Sequence, residues 1–401
     1  MKNNTNNRTY SSLNFFRSES FSGIILLICT VIAILLANLN FAPIYNEILH
    51  KNITIGYKAA SVSMSISHWI NDGLMSVFFF AIGMEIKKEL LIGELKSLKT
   101  TILPIAAAIG GIVVPAIFYA LFNYNKPTIN GFGIPMATDI AFALGVISLV
   151  GKKAPKGIVV FLTALAIVDD LGAIIVIAIF YGTEISWFYL LLSLTIVGVL
   201  ILANKFKVKS PTIFIIIGIV LWFTMLKSGI HATLAGVLLG MIIPGSRDEE
   251  AFKKSMLNKL EHAISPCSSY LIMPIFALAN AGVVINMNSL STIMSTPVSV
   301  GIILGLFLGK QLGIFGASTI LVKLGIANFP LGVNKKHLYG ASVLGGIGFT
   351  MSIFISSLSF SDEAILSTAK ISIIAASLLS GICGLIIFAL IKPETNNVNI
   401  V

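Results

Sequence analysis

Acidic residues are scarce in this chain: 17 Asp and Glu in 401 positions, against 27 Lys and Arg, and charged residues of both signs make up only 11% of it. A soluble domain normally carries about a quarter charged residues to keep its surface hydrated, so a water-soluble globular protein is excluded. Only three cysteines are present, Cys29, Cys267 and Cys383. They lack CxxC or metal-ligand spacing, which excludes a disulfide framework and leaves packing within apolar segments as their role. HExxH and GxSxG are absent, and Gly305-x-x-x-Gly309-Lys310-Gln311 lacks both the spacing and the hydroxyl of a phosphate loop. Nothing therefore marks an enzyme, a nucleotide-driven pump or a resident cofactor. The net charge of +10 does not indicate nucleic acid, because the basic residues fall in short clusters between apolar runs and form no basic face.

What fills the chain is hydrocarbon, with 56% apolar residues. Apolar segments recur near 21–41, 67–92, 101–122, 132–150, 157–181, 185–204, 211–226, 229–243, 265–286, 297–322, 338–359 and 366–391. Their lengths suit bilayer spans. The expected fold is thus an all-α polytopic membrane protein of about 12 transmembrane helices, a single domain over 1–401 with polar ends at 1–20 and 392–401. The first segment ends in Ala-Asn-Leu-Asn with no cleavage pattern, so it reads as a span rather than a signal peptide. With both termini cytoplasmic, the inner loops hold 21 basic residues and the outer loops only four, Lys51, Lys58, Lys126 and Lys227. That bias matches the positive-inside rule. The longest outer connection is 42–66, where Asn52–Ile55 reads as a short strand or an amphipathic piece. A homodimer through this segment is left open.

An ionisable side chain at membrane depth costs several kcal/mol unless paired or hydrated, so the few that sit there carry the functional reading. Asp169 and Asp170 lie about twelve residues from either end of their span. Two adjacent carboxylates there cannot both stay ionised without a cation, a proton or a positive partner. A packing role would be served by Asn or Ser. Oxygen-rich sites suit hard cations, and the two carboxylates with the Thr138 hydroxyl, freed carbonyls and water would fit sodium or lithium. Protons compete for the same oxygens, and competition at one alternately exposed site is an exchange mechanism.

Two spans are interrupted by glycine, at 131–145 and 340–352. Unwound backbone survives at membrane depth only where protein or water satisfies it, which predicts two discontinuous helices crossing at the midplane. Each interrupted span is the middle of a triplet, spans 3–5 and 10–12, and the triplets begin on opposite sides, as in inverted-topology repeats. Asp139 would offset two helix N-termini at the crossing. Lys310 would offset the C-terminal ends or pair with Asp169, either structurally or as a carrier of an exchanged proton. Gly305 and Gly309 read as close-packing positions.

Seven stretches then carry a family resemblance: Trp69–Met75 (WINDGLM), Gly83–Leu90 (GMEIKKEL), Ala137–Gly145 (ATDIAFALG), Ala166–Ala173 (AIVDDLGA), Ser228–Gly236 (SGIHATLAG), Phe276–Gly282 (FALANAG) and Gly346–Ser352 (GIGFTMS). Over nearly its whole length the chain resembles the NhaA family of sodium/proton antiporters, itself a standard case of inverted repeats and broken helices. The resemblance implies Asp169 and Asp170 as the sodium and proton site, Thr138 and Asp139 at the crossing, and Lys310 as partner of Asp169. It implies electrogenic exchange, with more protons than sodium ions moved per cycle, sodium, lithium and protons as its partners besides membrane lipid, and an inner-membrane location. It also implies pH regulation at the cytoplasmic mouth, here Glu85, Lys88, Glu89, Glu261 and His262, though Ser265 stands where a second histidine is expected. His231 is a further pH-sensing candidate because imidazole titrates near neutrality. An organic-solute transporter would need a roomier pocket, and a channel would differ in exchange stoichiometry.

Overall fold

The computed structural model describes residues 19–56, 61–93, 96, 98–182, 184–285 and 290–391. Of the two polar ends, 1–20 and 392–401, only Glu19 and Ser20 are described, and Lys58 lies outside the described residues too. Helices dominate. Among the described residues, eight are long and apolar enough to cross a bilayer, or ten if each of two bent pairs counts as one span. In chain order the helices that position the site are α1 Glu19–Asn38, α2 Ala42–His50, α3 Met75–Leu91, α4 Leu98–Asn123, α5 Ile140–Val150, α6 Lys156–Phe180, α7 Trp187–Lys205, α8 Pro211–Ser228 and α9 Thr233–Ile242. They continue with α10 Met256–Asn280, α11 Pro297–Lys323, α12 Lys335–Leu344, α13 Phe349–Ser359 and α14 Glu363–Leu390.

Two of the twelve expected segments fall short of a full apolar span, each for a physical reason. The stretch leading into α3 runs Ile66–His68, then a wide π turn Trp69–Leu74, then α3 itself, and it carries Asp72 early and Glu85, Lys87, Lys88 and Glu89 late. Helix α9 has only ten residues, roughly 15 Å at 1.5 Å each, about half a hydrocarbon core. The sequence places its start at 229, but Gly229 takes a left-handed φ of 84° at the end of α8, so His231 sits in the turn before the helix.

The outer connection is not helical throughout. Asn52–Ile55 forms a strand paired antiparallel with Val62–Ser65, in the register Asn52 to Ser65 and Ile55 to Val62, so all-α becomes helical with one hairpin. Every residue of the first strand is exposed.

The order long helix, broken pair, long helix occurs twice. Between α4 and α6 lies a 3₁₀ segment, Pro127–Met136, bent 41° from α5; between α11 and α14, α12 and α13 are bent by 43°. Pro135 restricts the backbone before it, Asp139 takes the extended conformation an N-cap prefers, and Gly345, Gly346 and Gly348 weaken the second break. Close packing holds the long members together. A Cβ on Gly313 of α11 would lie 2.1 Å from the Gly110 carbonyl oxygen of α4, and one on Gly309 would lie 2.8 Å from Pro115 Cα. The proline of α4 therefore faces the π turn Gly305–Gly309 in α11, and glycine lets the two backbones approach.

Candidate ion site

The two breaks are joined to each other. Asp139 N–H donates to Ile347 O at 2.6 Å, the Thr138 hydroxyl donates to Gly345 O at 2.9 Å, and the Ser352 hydroxyl donates to Ile134 O at 2.7 Å. Unwinding would otherwise leave these groups bare in an apolar interior, at a cost of several kcal/mol each.

Asp139 serves both helix N-termini at the crossing. It accepts from Phe142 N–H at 3.0 Å, capping α5, and from Thr350 N–H at 3.1 Å and the Thr350 hydroxyl in α13. A carboxylate is favoured here because unpaired N–H groups and helix dipoles present positive charge. The next free donor of α13, Phe349 N–H, goes to Ser377 Oγ of α14 at 3.1 Å. Thr350 lies inside a glycine-rich motif visible in the sequence and could have been found by its place two residues after Gly348. Ser377 left no signal, because α14 reads as an uninterrupted apolar helix.

Asp169 and Asp170 lie midway along the 25-residue α6. Lys310 Nζ donates to both oxygens of Asp169, at 2.8 and 3.0 Å, with both side chains buried. Lys310 therefore points at the carboxylate and not at helix-end carbonyls. It follows directly on the π turn of α11, and Gly111 of α4 leaves room for its stem: a Cβ there would lie 3.7 Å from Lys310 Cδ. The Thr138 hydroxyl and amide also face Asp169. Asp170 is different. Among the described residues it accepts no hydrogen bond, and it is 8% exposed where Asp169 is 1%. Its electrostatic neighbours are Asp169, Glu85, Asp139 and Lys310.

The pH-sensing candidates separate into two places. Glu85, within reach of Asp170, lies on α3 with Lys88 and Glu89; Lys88 Nζ meets Glu261 Oε1 of α10 at 2.9 Å. Glu261 Oε2 is buried with no hydrogen-bond partner among the described residues. His262, next in α10, is exposed. His231 does not join them. It sits 3.7 Å from Asp72 and 2.8 Å from Thr233 Oγ1, and Asp72 is 16 residues from Lys88 on one continuous helical stretch, roughly 24 Å.

Fold and site together define a multi-span helical membrane protein of the broken-helix transporter class, with a lysine-paired buried aspartate beside an unpaired one. Residues 13–388 match the family model described as Na+/H+ antiporter 1, and the chain belongs to that family. It is 65% identical to "Na(+)/H(+) antiporter NhaA 1" of Clostridium beijerinckii over 98% of both chains. It is 46% identical to "Na(+)/H(+) antiporter NhaA" of Aliivibrio salmonicida over 95% of this chain and 98% of that one. The solved sodium proton antiporter MjNhaP1 of Methanocaldococcus jannaschii covers 92% of each chain at a TM-score of 0.53 and 12% identity, a likeness of fold alone.

Proposed function

We propose that this protein is an electrogenic, pH-dependent sodium/proton antiporter that also accepts lithium and exports the cation in exchange for protons at Asp169 and Asp170. The observation that carries the reading is the asymmetry of the aspartates: one held by Lys310, the other free of hydrogen bonds and the more exposed of the two. Among the described residues no three His, Cys, Asp or Glu side chains gather as a metal cluster. Two carboxylates, the Thr138 hydroxyl and the carbonyls of the breaks make a donor set suited to a small monovalent cation in transit.

The cycle follows from these groups. Sodium approaches Asp170 first and displaces its proton. Binding across both carboxylates then draws Asp169 from Lys310, and an ammonium left without its partner in an apolar site gives up a proton. Two protons per sodium ion follow, so each cycle moves net charge and the membrane potential drives sodium outward. The bent pairs are the elements that move to expose the site alternately to each side, as the inverted arrangement of the two triplets would allow. Glu85, Lys88, Glu89, Glu261 and His262 surround the inner mouth and His231 the other end, and both act on pH response by changing the local charge. We place the chain as one domain in the bacterial inner membrane, both termini cytoplasmic, with a homodimer through 42–66 left open.

Dye-reported proton movement in everted vesicles tests this. On addition of sodium or lithium, protons are expected to leave the vesicles, with no response to potassium and none at all in Asp170→Asn. The apparent KM for sodium is expected to fall as pH rises, because protons compete for the same oxygens. An inserted wild-type protein silent to every cation, or Asp170→Asn with full activity, would sink the reading.

A further inference from the structure

A cavity of about 980 Å³, lined by neither Asp169 nor Asp170, lies between the first turns of α4 and α6 and the loop joining α11 to α12. Its walls are Pro104, Phe161, Phe329 and Leu331, and its one charged lining residue is Lys156. The three chain segments that meet here, 98–104, 150–164 and 323–336, contain seven lysines and no Asp or Glu. Among the described residues Lys156, Lys335 and Lys336 have no ion-pair partner. Leu331 stands 94% exposed at the rim, and Val160 beside it is 44% exposed, so the cavity is open to the side rather than sealed. An apolar slot lined by one unneutralised lysine, with Lys335 and Lys336 three and four residues beyond its lining residue Gly332, at the end of membrane-spanning helices, suits the two chemistries of a phospholipid: an acyl chain and an anionic headgroup.

We infer that this cavity binds an anionic phospholipid of the adjoining leaflet, with an acyl chain against Phe161, Phe329 and Leu331 and its phosphate beside Lys156, Lys335 and Lys336. Charge complementarity selects this occupant over a zwitterionic lipid, since the one charged residue of the lining is a lysine and the loop that walls the cavity runs within four residues into Lys335 and Lys336. The loop it braces packs tightly on α6, where a Cβ on Gly157 would lie 2.5 Å from Leu331 O, and it leads directly into the broken pair α12 and α13. The bound lipid would steady the entry to the second break.

The test is photo-crosslinking of the full chain in nanodiscs with phosphatidylglycerol or phosphatidylcholine carrying a diazirine on one acyl chain, with adducts mapped by peptide. Phosphatidylglycerol is expected to label 155–164 and 326–332, and phosphatidylcholine to label them at least about fivefold less. Lys156→Gln with Lys335→Gln and Lys336→Gln is expected to cut the phosphatidylglycerol adducts about tenfold or more, as each lysine near anionic headgroups contributes on the order of a fivefold preference. Leu331→Glu, a change at an exposed rim that folding tolerates, is expected to do the same. Equal labelling by the two lipids, or labelling unchanged in both variants, would overturn the inference. So would loss of the adducts on adding millimolar inorganic phosphate, which would make this a free-anion site.

Discussion

Asp139 joins two chain segments more than two hundred residues apart, through hydrogen bonds to Phe142 on its own helix and to Thr350 on the other. Each bond to a charged acceptor contributes about 1.5–3 kcal/mol, and the donors it would abandon are buried. Asp139→Ala is therefore expected to destabilise the fold by about 3 kcal/mol or more, seen as a lower Tm in detergent, with Asp139→Asn less affected. An unchanged Tm would mean the helix ends find other acceptors. Lys310 and Asp169 form a buried pair, and removing one member strands the other charge at a cost of about 3–5 kcal/mol. Lys310→Ala is expected to show that loss, and Asp169→Asn in the same background to recover most of it; simple additivity of the two changes would exclude direct coupling. At this scale the charged residues were legible, since a carboxylate or ammonium in an apolar span stands out. The partners at the crossing were not, because Thr350 is an ordinary hydroxyl until the crossing brings it to the Asp139 carboxylate, and Ser377 is one until α14 brings it to the Phe349 N–H.

Among the elements, the π turn Gly305–Gly309 and its neighbour Pro115 decide how closely α4 and α11 approach, and hence where Lys310 arrives. Gly313→Leu would drive a side chain into the Gly110 carbonyl and is expected to cost about 3 kcal/mol, read as loss of the monodisperse peak in fluorescence-detected size exclusion. Gly316, three residues on in the same helix, has nothing within 4 Å of a Cβ. Gly316→Leu is expected to elute like wild type, and equal loss in both would point to a general glycine requirement instead of this contact. The breaks were legible as glycine clusters in apolar runs. Their bond pattern was not, nor was the 3₁₀ character of Pro127–Met136, which depends on how Tyr119, Tyr181 and Phe360 crowd Gly131 and Gly133.

For the molecule as a whole, the outer segment is pinned at α2 and continues into a hairpin whose first strand is exposed. The Tyr45 hydroxyl of α2 donates to Leu278 O of α10 at 2.7 Å, and burial pushes its phenol up to about 12. A raised acid favours the protonated form in the fold, so this contribution is complete below the ordinary value of about 10 and is lost as pH climbs towards 12. Tyr45→Phe is expected to lose that alkaline step in a pH series of Tm values, and a step that survives would assign it elsewhere. Beyond α2, the strand Asn52–Ile55 pairs with one neighbouring strand only, and apart from the Ile53 carbonyl, which accepts from Trp69 Nε1–H at 3.0 Å, its other edge has Ile53 and Ile55 exposed, an arrangement that invites pairing with a second copy. Deleting 53–64 is expected to halve the particle mass by light scattering; an unchanged mass would remove the hairpin from any dimer contact.

The sequence by itself determined the class of the molecule, because a chain so poor in charge cannot stay in water, and it singled out the few ionisable groups that lie inside apolar spans, where each is costly. It also located both breaks and offered a strand at Asn52–Ile55. Tertiary structure alone decided that Lys310 takes Asp169 and not helix-end carbonyls while Asp170 stays open, that Thr350 and Ser377 supply the partners at the crossing, and that His231 and Glu261 lie at opposite ends. Those outcomes depend on which backbones touch, and contact between residues far apart in the chain leaves no mark in composition, spacing or period.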